Sequence, residues 1–231
     1  MTAALTIAID GPSGSGKSTV ARAVAQRLGI GYLDTGAMYR ALTWWCVERG
    51  IDLADEDAVG RAARDLPLDL GTDPEHPTVT VDGTDVGAAI RTTAVSSAVS
   101  AVATNRQVRP VLQEQQRRLM ARVADETGGV VAEGRDITTV VAPDARVRVL
   151  LTASEEARLR RRSTELHGRA DAAAVEATRD QVVRRDRDDS TVSQFGEAAD
   201  GVTLVDTSDL GLEESIEAVL DVVAAATTGE G

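Results

Sequence analysis

The residues with the clearest chemical meaning form one run near the start of the chain, Gly11-Pro12-Ser13-Gly14-Ser15-Gly16-Lys17-Ser18. Their spacing matches the pattern G-x-x-x-x-G-K-[ST], in which glycines let backbone N–H groups turn inward around phosphate oxygens. In this pattern Lys17 reaches the terminal phosphates, and the Ser18 hydroxyl can hold Mg²⁺. The run therefore predicts a nucleoside triphosphate site made of Gly11, Pro12, Ser13, Gly14, Ser15, Gly16, Lys17, Ser18 and Thr19.

The segments on either side of this run support the same interpretation. Leu5 to Ile9 is typical of a buried strand, and Val20, Val24 and Leu28 recur at helical spacing. Gly29 is expected to end that helix. A strand, a loop and a helix in this order place helix N–H groups and the positive end of the helix dipole at the phosphates. The alternative is that the run is a flexible glycine-rich turn, which would need neither a strand before it nor a helix after it.

A phosphate-binding loop is shared by kinases, switch GTPases, motors and transporter subunits, so the arginines must indicate the reaction. Arg40 stands in the first turn of a predicted helix, where a cation opposes the dipole, and we expect an anion beside it. Arg135 follows a predicted strand end, with Asp136 next to it. Further arginines belong to segments that flank the same rim: Arg109, Arg161, Arg162 and Arg185. If these arginines meet at one place in the folded protein, they would bind a second phosphate-bearing substrate and stabilise charge on the phosphoryl group during its transfer.

Other arginines are expected on solvated helix faces or in surface ion pairs, where they contribute little to a site. These are Arg158, Arg160 and Arg184.

The composition limits the partners of the chain. Its 231 residues carry a formal net charge of −12, which repels polyanions, so we expect neither nucleic acid nor a membrane as a partner. The single cysteine, Cys46, excludes an intrachain disulfide and indicates a reducing compartment. Met1 to Asp10 contains no Lys or Arg, which is not typical of a signal peptide. These features predict a cytoplasmic protein.

Strand and helix patterns alternate along most of the chain, which predicts an α/β fold with a mostly parallel sheet. Besides Leu5 to Ile9, short strands are expected at Gly31 to Leu33, Val130 to Ala132, Val147 to Leu151 and Val202 to Val205. Ligands of such sheets bind beyond the C-terminal ends of the strands. The phosphate loop, Asp34-Thr35 and Arg135-Asp136 all follow such ends.

Two segments differ from this alternation. In residues 52–93, Thr78-Val79-Thr80-Val81 precedes Asp82-Gly83, which is a hairpin signal and predicts a small β-containing insertion. The tail from Ala224 to Gly231 is expected to be disordered.

Several blocks of residues together resemble one enzyme family. They are GPSGSGKS, Leu33-Asp34-Thr35-Gly36-Ala37-Met38-Tyr39-Arg40, Val81-Asp82-Gly83 through Ile90-Arg91-Thr92, Val131-Ala132-Glu133-Gly134-Arg135-Asp136, and Arg185-Asp186 with Asp189-Ser190. This set resembles bacterial cytidylate kinase, and it covers nearly the whole chain in the same order. The tyrosine-arginine and Glu-Gly-Arg-Asp blocks are far more specific than the phosphate loop.

The resemblance implies transfer of the γ-phosphoryl group of ATP, with Mg²⁺, to CMP or dCMP in pyrimidine nucleotide metabolism. It implies a P-loop kinase fold with a mostly parallel, five-stranded sheet flanked by helices. The core would then comprise residues 1–51, 94–157 and 186–231, with an insertion that binds the nucleoside monophosphate at 52–93, and a short lid with flanking helices at 158–185. We expect a monomer whose partners are ATP and CMP or dCMP.

The resemblance also implies roles for individual positions. The positions that match the family's contacts to the cytosine ring are Thr35, Ser100, Arg109 and Asp136. The positions that match its contacts to the acceptor phosphate are Arg40 and Arg135, and the positions that match residues near the sugar are Arg185 and Asp189. Those in the implied catalytic set are Lys17, Arg135 and the lid residues Arg161 and Arg162. A carboxylate can accept a hydrogen bond from the amino group of cytosine, and a guanidinium can donate to its acceptor atoms. Uracil lacks that amino group and would not pair with the carboxylate.

The chain departs from the family pattern at two places. Thr35 stands where some relatives have Ser, and it retains the hydroxyl. The family usually follows its Asp-Ser-Thr stretch with an arginine that also clamps the acceptor phosphate. Here Asp189-Ser190-Thr191 runs directly to Val192-Ser193-Gln194-Phe195, as if two residues were deleted. We expect Arg187, or Arg184 brought in by lid motion, to replace that clamp.

Other functions fit part of the same pattern. A P-loop kinase could act on UMP, AMP, dTMP or a non-nucleotide acceptor, and the proposed cytosine-reading residues distinguish it from a cytidylate kinase. A GTPase-like switch or scaffold would normally contain Asn-Lys-x-Asp, but Asn105 is followed by Arg106. A nucleic-acid-binding ATPase is disfavoured by the acidic charge and the aromatic content of 2%.

Overall fold

A parallel sheet forms the centre of the molecule and confirms the predicted α/β class. In the computed structural model, which describes residues 4–168 and 171–228, five strands pair in the order β2-β6-β1-β7-β8. They are Leu5–Asp10 (β1), Gly31–Asp34 (β2), Gly129–Gly134 (β6), Val147–Thr152 (β7) and Thr203–Asp206 (β8). Every pairing in this sheet of the described chain is parallel.

The register of the strands brings the predicted functional segments to one edge of the sheet. Asp10 at the end of β1 is opposite Gly134 on β6, and Asp34 at the end of β2 is opposite Glu133. The phosphate loop leaves β1 there, and Arg135 leaves β6 at the same edge. Backbone hydrogen bonds between strands thus align segments that are far apart in the sequence.

Helices cover both faces of the sheet. One layer is formed by Lys17–Leu28 (α1) and Leu212–Thr228 (α8), and the other by Thr35–Glu48 (α2), Glu56–Asp65 (α3), Thr93–Ala103 (α4) and Val108–Thr127 (α5). Successive strand residues alternate between the layers: Ile7 and Ile9 pack with the first, and Ala8 packs with the second. All three are fully buried, so both sheet faces contribute to the hydrophobic stabilisation.

The segment between α2 and α4 contains the predicted hairpin. Leu68–Leu70 (β3), Val79–Val81 (β4) and Thr84–Asp85 (β5) form an antiparallel sheet. The turn residues Asp82 and Gly83 have φ of 52° and 73°, values that a tight hairpin turn requires. A short 3₁₀ helix, Ala89–Arg91, follows.

A helical hairpin contains the segment predicted as a lid. It consists of Glu155–His167 (α6) and Ala172–Ser190 (α7), and the hydroxyl of Ser154 accepts a 3.3 Å hydrogen bond from the first turn of α6. Helix α7 continues beyond residue 185, the expected end of the lid segment.

The end of the chain differs from the prediction. Helix α8 continues through Thr228, so the expected disorder is wrong for residues 224–228. Its buried face, which includes Val219 and Val223, packs against the sheet and stabilises it. Residues 229–231 lie outside the described residues. Among the residues described, none of the helices combines the length and the apolar character needed to cross a membrane.

A buried carboxylate fixes the edge of the sheet beneath the site. Asp10 is 1% exposed. Its Oδ1 accepts from the Ile137 amide at 2.9 Å, and its Oδ2 accepts from the amide and hydroxyl of Thr138 at 2.8 and 2.6 Å. Residues Ile137–Val141 form a π-helix directly after Arg135-Asp136. Asp10 therefore holds in place the turn that carries these two side chains.

We predict that Asp10→Ala lowers the free energy of unfolding by about 2–4 kcal/mol, because it leaves two amides and a hydroxyl buried without their acceptor. Urea unfolding at neutral pH measures the change. Asp125→Ala, at an exposed helix position, is the matched control and should change stability by less than about 0.5 kcal/mol. Equal stabilities for the two variants would contradict the prediction.

Candidate active site

The phosphate loop requires glycine for the positive φ of Gly14 and Gly16 and for lack of space at Gly11. Gly16 has a φ of 90° and caps α1, with no side-chain hydrogen bond at that cap. A Cβ on Gly11 would lie 2.2 Å from the carbonyl oxygen of Leu151, closer than any real contact. The loop therefore presents the N-terminal amides of α1, which favour an anion.

Lys17 and Ser18 begin α1 and lie beside an acidic strand end. The Lys17 ammonium donates to the carbonyl oxygen of Pro12 at 3.3 Å. Burial, together with the charge of Arg135, lowers the pKa of Lys17 to about 8. The Ser18 hydroxyl donates to Glu133 Oε1 at 2.7 Å. Glu133 is 2% exposed, and its burial and the charge of Asp34 raise its pKa.

A cavity of about 310 Å³ opens beside the phosphate loop. Residues 14–16 and Thr19 form one wall, and Leu210 to Leu212 form another. Arg161 and Arg162 also line it. Backbone amides, guanidinium groups and apolar side chains thus surround a space next to the loop, as in sites for ligands with a charged and an apolar part.

Arg161 makes contacts that differ from those expected of a lid residue. Its guanidinium donates to the carbonyl oxygens of Ser15, Thr207 and Leu210 at 3.1, 2.6 and 3.2 Å, and to the Thr207 hydroxyl at 2.9 Å. These bonds join the phosphate loop to the loop after β8. Arg161 therefore braces the wall of the cavity.

Arg40 has an anion beside it, but its position differs from the prediction. It is in the second turn of α2, and its Nη2 donates to Asp34 Oδ2 at 2.7 Å. Asp34 is also the N-cap of this helix, since its Oδ1 accepts from the Ala37 amide at 2.8 Å. Arg91 lies 3.5 Å from the same carboxylate. The Asp34 carboxylate thus brings Arg40 and Arg91 together at the end of β2.

Arg109 and Asp136 form a partly buried ion pair. Arg109 Nη2 donates to Asp136 Oδ2 at 2.6 Å and to Ser193 Oγ at 3.0 Å. Gln113, one turn further along α5, donates to the same Oδ2 at 2.7 Å. The described hydrogen bonds of the Asp136 carboxylate therefore all go to Oδ2, and they fix its orientation.

Arg135 is linked to the phosphate loop through one carboxylate. Its Nη1 donates to Asp186 Oδ1 at 2.9 Å, and that oxygen also accepts from the Ser13 amide at 3.0 Å. The Nη2 of Arg135 lies 3.1 Å from Asp189 Oδ2. Arg185 lies 3.7 Å from that oxygen, and burial, with the charge of Arg135, lowers its pKa to about 10.

Arg158, expected on a solvated helix face, is instead part of this network. Its side chain is 13% exposed, and its Nη1 donates to Asp186 Oδ2 and, at 2.9 Å, to the carbonyl oxygen of Ser13. The prediction for Arg158 is therefore wrong, because the helical pattern did not show that α6 runs beside the phosphate loop. Arg160, by contrast, is 61% exposed.

Ser100 and Arg184 line a second, small cavity between α4 and α7. Arg162 and Arg185 line it as well, and Ser13 of the phosphate loop closes it. Arg187 is 76% exposed and lies 3.7 Å from Asp188. Of the two arginines considered for the missing clamp, Arg184 is thus the one that lines a cavity beside the site.

Thr35 is buried and bonded to the backbone. Its hydroxyl donates to the carbonyl oxygen of Glu133 at 2.7 Å, and it lies against Gly134, where a Cβ would be 2.5 Å from that hydroxyl oxygen. Thr35 therefore links the start of α2 to the end of β6.

Comparisons with known proteins agree with this arrangement. Residues 7–225 match the family model described as cytidylate kinase. A cytidylate kinase of Streptomyces avermitilis is 50% identical over 222 residues, which cover 95% of this chain and 93% of the relative. One of Rhodococcus opacus is 52% identical over 228 residues and covers 96% of each chain. The chain belongs to the cytidylate kinase family.

A third cytidylate kinase, of Cutibacterium acnes, is 50% identical over 224 residues, which cover 96% of this chain and 97% of the relative. The resemblance stated from the sequence blocks is therefore confirmed, as is the class of enzyme, a phosphotransferase. The P-loop kinase fold agrees with the parallel sheet and with the loop at its edge.

Several residues that shape this site were not identified from the sequence motifs. They are Asp34, Glu133, Gln113, Arg158, Asp186, Ser193 and Phe195. Asp34, Glu133 and Asp186 stood inside the quoted blocks, next to residues that had been given roles. An excess of buried arginine charge requires such carboxylates, and this could have identified them. No sequence signal pointed to Gln113 or Phe195.

We predict that Asp186→Asn lowers the free energy of unfolding by about 2–4 kcal/mol at neutral pH, because two arginines lose a charged partner. Burial alone would raise the pKa of Asp186, but Arg135 and the Ser13 amide outweigh it and hold that pKa below 3.8. The stabilisation is thus present above pH 3.8 and is lost as the pH falls through the lowered pKa.

Urea unfolding of both proteins from pH 7 down to about pH 3 tests this linkage. The difference between them should narrow below about pH 4. Asp188→Asn is the matched control, since Asp188 contacts the exposed Arg187. A difference that stays constant with pH would show that the charge of Asp186 is not what stabilises the network.

Proposed function

We propose that this member of the cytidylate kinase family transfers the γ-phosphoryl group of ATP to CMP and dCMP. The observation that carries the proposal is the Asp186 carboxylate, which joins the phosphate loop at Ser13 to Arg135. Through this carboxylate, Arg135, which would bind the acceptor phosphate, lies beside the loop that would bind the donor triphosphate. Placing two phosphate groups next to each other is the main requirement for phosphoryl transfer.

The donor triphosphate would lie on the loop from Gly11 to Ser18. Gly16 exposes the first amides of α1, and Lys17 starts that helix. The adjacent cavity of about 310 Å³ would take the nucleoside part of ATP. Arg161 fixes the shape of that cavity through its bonds to three carbonyl oxygens. Arg162 lines this cavity and the smaller one, so it could contact both nucleotides.

The residues beside the loop fit a Mg²⁺ ion. The described residues contain no group of three or more His, Cys, Asp or Glu that could hold a metal. Mg²⁺ takes few protein ligands and prefers oxygen from phosphates and water, so Ser18 Oγ and the adjacent Glu133 carboxylate suffice. The bound ion would neutralise charge on the β- and γ-phosphates.

The acceptor base would be read by the pair of Arg109 and Asp136. Arg109 and Gln113 both bond to Oδ2 of Asp136, which leaves Oδ1 to accept from an exocyclic amino group. Cytosine carries that amino group, whereas uracil carries a carbonyl oxygen at the same position and would be repelled by a carboxylate. The geometry therefore favours CMP over UMP.

The acceptor phosphate would be bound by Arg40 and Arg135. Both side chains are mostly buried, at 12% and 14% exposure. Asp34 holds the first arginine, and Asp186 and Asp189 hold the second. A phosphate dianion would meet guanidinium groups that are already oriented, so less conformational entropy is lost on binding. We propose that the segment 52–93 borders this side of the site, where Arg91 lies near Asp34.

A panel of acceptors tests the proposed function. Purified protein is supplied with Mg²⁺ and ATP, and ADP formation is measured with CMP, dCMP, UMP, AMP and dTMP offered separately. Preferential turnover of CMP and dCMP is expected. Preferential turnover of another acceptor would assign that substrate instead, and ADP formation with none of them would overturn the proposal.

We predict that Asp136→Asn lowers the CMP to UMP ratio of kcat/KM by about 10- to 100-fold, because an amide can also donate to the uracil carbonyl. The KM for ATP should stay within about twofold, since Asp136 lies on the acceptor side. Steady-state kinetics with both acceptors measure the ratio. Asp144→Asn, an exposed aspartate, is the control. An unchanged ratio would exclude Asp136 from base recognition.

We predict that Glu133→Gln raises the Mg²⁺ concentration needed for half-maximal activity by about 10- to 100-fold, because a carboxylate next to the metal-binding hydroxyl is lost. Activity is titrated with Mg²⁺ at saturating nucleotides. Glu126→Gln, at an exposed position of α5, serves as the control. An unaltered Mg²⁺ requirement would show that Glu133 only anchors Ser18.

A further inference from the structure

We propose that Ser193 and Phe195 are positioning residues, which hold Arg109 and Arg135 in the orientation that the acceptor nucleotide requires. Both belong to the segment Asp189–Phe195, which contains no arginine at the place where the resemblance implies one. In this chain the segment would hold the arginines of the acceptor site in place. It would contribute no arginine of its own to binding the phosphate. The inference rests on the proposed function and deepens it.

The backbone of this segment turns tightly at the end of α7. The amides of Val192 and Ser193 both donate to the carbonyl oxygen of Asp189, at 3.2 and 3.0 Å. The turn directs Ser193 and Phe195 inward, where they are 7% and 5% exposed, whereas Gln194 between them is exposed. The turn thus brings two side chains against the site within a few residues of the helix end.

Phe195 covers one face of the Arg135 guanidinium. The Cζ atom of Arg135 lies 4.5 Å from the centroid of the ring, within the range of a cation–π contact. The edge of the same guanidinium is held by Asp186 at 2.9 Å and Asp189 at 3.1 Å. The ring attracts the cation without adding a formal negative charge, so it does not reduce the net charge available to a phosphate.

The composition makes this contact notable. Phe195 is the only phenylalanine of the chain, and it lies at the charged site. Phe195 is buried, but it belongs to neither of the two hydrophobic clusters of the described core, so packing in the core does not account for its position. A contact between the face of the ring and the Arg135 guanidinium accounts for the position of Phe195.

Ser193 acts in the same way on the other arginine. Its Oγ accepts from Arg109 Nη2 at 3.0 Å, while Asp136 accepts from the same nitrogen at 2.6 Å. Two acceptors from different segments thus fix the guanidinium that would face the base. Together the two residues restrict Arg109 and Arg135 before the nucleotide binds, which reduces the entropy lost in reaching the reactive geometry.

Substitutions at Phe195 separate the ring face from simple packing. Phe195→Met keeps most of the volume but removes the ring, and we expect it to lower kcat/KM for the acceptor about 3- to 30-fold. Phe195→Tyr keeps the ring face and should stay within about threefold of the wild type. The KM for ATP should be unaffected in both, which shows that the protein is folded. Gln194→Ala is the neighbouring exposed control.

A double-mutant cycle with Arg135→Ala tests whether Phe195 acts through Arg135. In the Arg135→Ala background, Phe195→Met should have no further effect on kcat/KM. Equal losses in both backgrounds would overturn the role of Phe195. Ser193→Ala, a small change that does not depend on the ring, should lower the discrimination between CMP and UMP. Unchanged discrimination would overturn the role of Ser193.

The same assays distinguish failure of this inference from failure of the proposed function. The cycle is run with whichever nucleoside monophosphate the wild-type protein phosphorylates. If the wild type uses CMP and the Phe195 and Ser193 variants behave like it, only the positioning role is overturned. If the wild type phosphorylates no nucleoside monophosphate, the proposed function and the inference are both overturned.

Discussion

The Asp186 carboxylate is the interaction on which the site depends. It accepts from the Ser13 amide of the phosphate loop and from Arg135 and Arg158. One side chain of α7 thus connects the loop after β1, the strand end of β6 and the helix α6. Because each of these groups is largely buried, the carboxylate is needed to balance two guanidinium charges where water cannot solvate them. Without it, Arg135 would lose its hydrogen-bonded link to the phosphate loop.

The pairing of arginines with aspartates explains how an acidic protein can hold a phosphate. The net charge of −12 repels anions at long range, so binding must come from local positive charge. Asp34, Asp136 and Asp189 orient the arginines but leave each guanidinium some of its donors. A phosphate or a base can then complete the set of hydrogen bonds.

Prediction from the sequence was most successful where one short segment determines its own conformation. The loop glycines and the Asp82-Gly83 turn depend on local backbone preferences and on contacts within a few residues. The arginines show the opposite case. Arg158 is mostly buried, and Arg161 bonds to carbonyl oxygens of two loops. Both belong to one basic stretch of the sequence, in which no local feature distinguishes these arginines from the exposed ones.

The sequence alone therefore determined the class of fold, the phosphate loop and the family, because those follow from local patterns and from motifs in order. Only the tertiary structure decided which partner each arginine has. Ser13 and Asp186 are 173 residues apart, and Arg109 and Ser193 are 84 apart. Such pairs depend on how the sheet aligns its strand ends and on where α6 and α7 pack. No short-range pattern in the chain contains that information.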